Sequence, residues 1–197
     1  KHVGLIFYGY ETRPIAKAIA YTTLPYIPGL SGNESNSVAF LKEIGIEILE
    51  GDKLKALADL TDDERTNLFS ALSNHMVSSG CDSSAIHQLI GTIYTFKLEE
   101  QSTPLRGGRE FGSLINACGR MGKPGVGLSV CLGDRGDAMI EAQEVLAGYR
   151  ITIAKALDWV QMQDKVEEQE HIYVITAENK VNDTVIGVVS GVLLGQG

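Results

Sequence analysis

Asp137 opens the longest periodic run in the chain. Met139, Ala142, Leu146, Tyr149, Ile153, Leu157 and Val160 recur at steps of three and four, the spacing that puts side chains on one face of an α-helix. A helix of about 27 residues is about 40 Å long. Such an amphipathic rod has one covered stripe, and the rest of the fold has to be arranged along it.

Punctuation organises the remainder. Thr12 and Pro14 suit a helix start, and Ile15, Ala18, Ile19 and Thr22 continue it toward a break at Pro25 to Gly29. Ser31-Gly-Asn-Glu-Ser opens a second helix, whose apolar members Val38, Leu41 and Ile44 precede a stop at Gly45. Thr61-Asp-Asp-Glu64 is a capping box, followed by Leu68, Leu72 and Met76 at steps of four and by Gly80. Asp82 or Ser83 caps a further helix running to Leu89-Ile90-Gly91, so residues 33–92 are expected to form a small helical module. His171 to Thr176 is a short β-branched strand, with a turn at Glu178-Asn179. Asp183 is expected to cap the last helix, in which Gly187 and Gly191 lie four apart and allow close backbone packing. Val126 to Leu132 alternates like a strand.

Composition narrows the class. Of 197 residues 44% are hydrophobic, yet no apolar run approaches the ~20 residues of a membrane helix and no signal-like start is present. Cys81, Cys118 and Cys131 form no Cys-x-x-Cys pair, and an odd count argues against a disulfide framework, so a reducing cytoplasm is expected. Cys118 falls on an apolar stripe and is expected in the core. The four histidines, at 2, 75, 87 and 171, show no metal-ligand spacing.

Charge is unevenly spread. The chain carries a formal −8, but Arg106, Arg109, Arg120 and Lys123 face only Glu110 between Pro104 and Lys123, a local +3, whereas residues 134–170 hold a local −5. A basic spot in an acidic background can aim a phosphate chain into one groove. Residues 109–120 read as a helix with two faces. Phe111, Leu114, Ile115 and Cys118 form its apolar stripe, while Arg109, Ser113, Asn116 and Arg120 recur on another. Arginine offers phosphate oxygens a planar fork of donors, to which an amide and a hydroxyl add neutral hydrogen bonds.

Four stretches carry a family resemblance. Leu-Ile-Asn-Ala-Cys-Gly-Arg-Met (114–121) resembles a motif of the RecJ single-stranded-DNA exonucleases of the DHH phosphoesterase superfamily. Tyr-Gly-Tyr-Glu-Thr-Arg-Pro (8–14) and Pro-Tyr-Ile-Pro-Gly-Leu-Ser-Gly (25–32) resemble the archaeal RecJ-like branch, and Val-Ile-Gly-Val-Val-Ser-Gly (185–191) resembles the opening of its DHHA1 domain. The family's Asp-x-Asp, Asp-His-His and terminal glycine-rich motifs are absent.

The resemblance implies an α/β, predominantly helical, internal part of a larger enzyme. Residues 1–32 would end a DHH domain, 33–105 form a helical insertion module, 106–168 supply a nucleic-acid-contacting helix and the long interdomain helix, and 169–197 begin DHHA1. It favours a helix over Val126 to Leu132. It also implies hydrolysis of single-stranded DNA or RNA by a parent enzyme using manganese or magnesium, with no catalytic residue, metal ligand or cofactor in this chain, which alone is expected to be inactive. Arg106, Arg109, Ser113, Asn116, Arg120 and Arg150 are the expected nucleic-acid-binding residues. The alternative is a non-catalytic module that docks a replication or repair protein of the GINS type. Neither reading involves a membrane.

Overall fold

The computed structural model describes residues 1–22, 25–162, 165–177 and 179–194, the side chains of residues 192 and 194 excepted. It is a predominantly helical α/β fold that divides into two compact units, Lys1–Phe111 and Gly112–Gly197.

The first unit starts with strand β1 (His2–Leu5), then α1 (Ile15–Ala20) and α2 (Glu34–Glu43). A two-residue hairpin, β2 (Leu49–Glu50) and β3 (Lys53–Leu54), leads through a single 3-10 turn at Leu57–Asp59 into α3 (Asp62–Ser78), α4 (Ser83–His87) and β4 (Ile90–Ile93). The capping box forms as its spacing predicts: the Glu64 amide donates to the Thr61 hydroxyl, and the Thr61 amide to the Glu64 carboxylate. Leu68, Leu72 and Met76 are the buried stripe of α3. Their core also takes in Leu5, Phe7, Ile15, Ile19, Ile27 and Leu30. His75 ties α3 to the 25–32 segment through a 2.7 Å hydrogen bond between Nε2 and the Pro28 carbonyl.

Asn33, within the stretch expected to open the helix, caps α2, because its side chain accepts the Asn36 amide. Two sequence expectations are corrected here. The helix that Asp82 caps ends at His87 instead of reaching Gly91, and β4 follows. β4 pairs antiparallel with β1, Leu5 opposite Ile90 and His2 opposite Ile93. Residues 33–92 are therefore a mixed segment whose last strand is completed by the chain's first residues.

The second unit takes most of α5 (Gly108–Arg120), whose first turn belongs to the first unit, then α6 (Pro124–Cys131), α7 (Asp137–Met162), the hairpin β5 (Val166–Gln169) and β6 (Ile172–Ile175), and α8 (Asp183–Leu194). Pro124 opens α6, its missing N–H costing nothing at a helix start, and this overrides the strand-like alternation of residues 126–132. α7 runs for 26 residues with Met139, Ala142, Leu146, Tyr149 and Val160 buried. Cys118 is buried in this unit as expected.

The strand expected at residues 171–176 is β6, paired with β5. Of the expected turn, Glu178 lies outside the described residues, and Asn179 adopts a φ of 60°. The cap of α8 is Asn182, whose side chain accepts the Thr184 amide, and Asp183 is the first helical residue. Gly187 and Gly191 are exposed with no described atom within 4 Å of where a Cβ would lie, so no close backbone approach explains them. Among the described residues no helix is long and apolar enough to cross a membrane.

Candidate functional site

The segment Tyr8 to Pro14 is a turn that sends its side chains two ways. Gly9 has a φ of +85°, and the amides of Thr12 and Arg13 both donate to its carbonyl. A Cβ at Gly9 would lie 2.4 to 2.5 Å from the Arg13 methylenes, so only glycine lets the arginine stem fold over the turn. The Arg13 guanidinium then lies over two rings, 4.6 Å from the centroid of Tyr8 and 5.0 Å from that of Tyr21.

Tyr10 and Glu11 go inward, to a cleft of about 730 Å³ that His2, Asp59, Asp62, Arg65 and Arg106 also line. The Tyr10 hydroxyl is hydrogen-bonded to His2 Nε2 at 3.4 Å. Glu11 pairs with Arg106, Nε to Oε1, at 3.5 Å. Burial pushes the Glu11 carboxyl above its ordinary range; Arg106 pulls it back and the nearby Glu110 pushes it further. Burial likewise raises the Tyr10 phenol, against the opposing field of Arg65. Arg65 donates to Asp62 at 2.9 Å and to the Ala58 carbonyl.

Glu110 is the deepest charged group described in this unit. It is 2% exposed, and its Oε1 has no hydrogen-bond partner among the described atoms. It sits in the first turn of α5, where a carboxylate is favoured by the helix dipole.

The expected phosphate-binding residues are distributed as follows. In the first unit, Arg106 donates to the Glu99 carbonyl at 2.8 Å besides pairing with Glu11, and Arg109 donates to the Ile6 carbonyl. In the second, Arg120 donates to the Thr184 carbonyl at the start of α8, while its Nε is buried without a described partner. Ser113 is half-buried, and Asn116 and Arg150 are exposed. Arg106, Arg109 and Arg120 thus each spend at least one guanidinium N–H inside the fold. Sequence reasoning misses Glu11 and Glu110 as site residues: Glu11 lies within the 8–14 motif, Glu110 offsets one of the local bases, and only burial singles them out.

The divalent ions that the family resemblance implies find no matching donor set here. Among the described residues no three His, Cys, Asp or Glu side chains converge, and the acids of the cleft are engaged with Arg106, Arg65 and Lys53. The first unit is thus a helical domain closed by a β-ribbon, holding a cleft of paired charges.

Comparison with known proteins gives it a relationship. Residues 7–90 match the family model of the DHH-CID domain, a similarity to the DHH family that extends over less than half of the chain. An uncharacterized protein of Methanocaldococcus jannaschii is 30% identical over 190 residues, covering 96% of this chain and 37% of that protein. The chain therefore spans little more than a third of the length of this relative.

Proposed function

We propose that this chain is the strand-holding and connecting part of a longer RecJ-like, metal-dependent exonuclease that hydrolyses single-stranded DNA or RNA, its manganese or magnesium being held elsewhere in the parent protein. The observation that carries this reading is the DHH-CID match over residues 7–90. The α5 motif supports it, with Arg109, Ser113, Asn116 and Arg120 along one helix and Arg106 and Arg150 as further cations.

The test uses labelled oligothymidine. Arg120→Ala should weaken binding by about 1.5–3 kcal/mol and flatten the salt dependence by about one phosphate's worth, with Arg120→Lys recovering part of the loss. If the substitution lowers only thermal stability, Arg120 serves the Thr184 carbonyl and the strand-holding role fails. The chain by itself should leave the labelled strand intact in manganese buffer. Cleavage that a chelator abolishes would place catalysis within it.

A second reading, docking of a replication or repair protein of the GINS type, is favoured by one observation. Leu49 and Leu54 face each other across the β2–β3 hairpin, each 49% exposed, a pair of large apolar side chains left in water. Leu49→Ser combined with Leu54→Ser should weaken capture of such a partner and leave oligothymidine binding unchanged. Unchanged capture would remove this reading.

A further inference from the structure

The segment from Thr12 to Asn33 contains no acidic residue, in a chain with 25 of them. It carries Arg13 and Lys17 and two of the most exposed aromatic residues in the first unit, Tyr21 at 62% and Tyr26 at 52%. An aromatic ring left in water is costly in apolar surface and useful as a stacking face. Tyr21 is held in place: its amide donates to the Lys17 carbonyl at 2.9 Å, which closes the last turn of α1 beside the exposed lysine, and the Arg13 guanidinium lies over its ring. Arg13 is itself held over Tyr8 by the turn that Gly9 permits. The platform is thus ordered before any ligand arrives, which lowers the entropy cost of stacking on it.

From these observations we infer that Tyr21, backed by Arg13 and Tyr8, is a stacking site for an unpaired nucleobase, with Lys17 beside it for the backbone phosphate. Proteins that hold single strands without reading sequence combine aromatic faces with cations tracking the backbone, and this acid-free segment offers both. A base has a π-face to stack on the open surface of Tyr21; the phosphate has an exposed ammonium one helical turn away. The inference rests on the proposed strand-binding reading but adds a separate contact, to a base and its phosphate, on residues distinct from the α5 stripe.

The test separates the two. Deoxyadenosine monophosphate is titrated at millimolar concentration into the full chain while the tyrosine ring resonances are followed by NMR. Ring-current shifts at Tyr21 that deoxyribose 5-phosphate and poly-glutamate do not produce are expected. Tyr21→Ala, an exposed position that does not carry the core, should lower the affinity for oligothymidine about tenfold, with Tyr21→Phe near wild type. An abasic strand of equal length should bind wild type and Tyr21→Ala alike. Arg120→Ala should leave the Tyr21 shifts in place, so failure of the α5 contact is read independently. Absence of shifts at Tyr21, or equal shifts with deoxyribose 5-phosphate, overturns the inference. Equal shifts with poly-glutamate also overturn it, in favour of an acidic protein partner.

Discussion

The two units solve the problem of burial differently. The first encloses long side chains drawn from distant parts of the sequence, among them Ile15, Ile27, Leu57, Leu68, Leu72 and Met76, and also buries the carboxylate of Glu110. The second packs its helices with many smaller residues: Ala117, Val130, Ala142, Ala156, Val185 and Val189 are buried beside Leu114, Met139, Leu146 and Tyr149. Large side chains concentrate stability at a few positions, whereas small ones spread it along helix faces. The first unit should accordingly be the more brittle to truncation of a single residue.

The strongest test of that contrast is truncation itself. Leu72→Ala in the first core should cost about 3–4 kcal/mol, while Val189→Ala in the second should cost about 1.5 kcal/mol, the worth of two buried methyl groups. Urea unfolding read by hydrogen exchange in each unit checks both, and equal losses would break the comparison. A smaller effect is expected from Thr61→Ala, about 1 kcal/mol, because the Glu64 amide loses its acceptor. A thermal melt that does not move would show the box to be ornamental.

The finest test is pH. Glu11, raised by burial, favours the fold most below the ordinary carboxylate range, and that contribution is lost as pH rises through its higher folded value. Glu64, lowered by the Thr61 amide and Lys55, contributes above the ordinary range and loses its contribution as pH falls through its lower folded value. Raising the pH across that range should therefore shift stability toward Glu11→Gln and away from Glu64→Gln, each relative to wild type. Parallel shifts in urea midpoint would contradict the assignment.

Local signals were legible in the sequence and distant ones were not. The Thr61 box and the α7 stripe need only neighbours within one or two turns, and both stand where spacing puts them. β4 has four residues, two of them apolar, and its partner lies at the other end of the first unit; nothing local distinguishes it from a continuing helix. Asn182 and Asp183 are both competent caps, and only the side-chain geometry chooses between them. At the cleft the motif around Glu11 was visible, but its pairing with Arg106 joins residues nearly a hundred positions apart. The arginines of α5 were visible as cations, while the carbonyls that Arg109 and Arg120 hold were not.

The pairing of β1 with β4 also dictates the order in which the first unit can assemble. Bringing Leu5 to Ile90 closes a loop of about 85 residues, whose length-dependent entropy cost is about 4 kcal/mol. Four residue pairs of ribbon cannot offset that in an otherwise open chain, so α3, its capping box and the β2–β3 hairpin have to form first and shorten the span. β1 can then pair with β4 at a lower entropy cost. During synthesis β1 lacks its partner until Ile90 and its neighbours have been made, and non-local pairings of this kind slow folding.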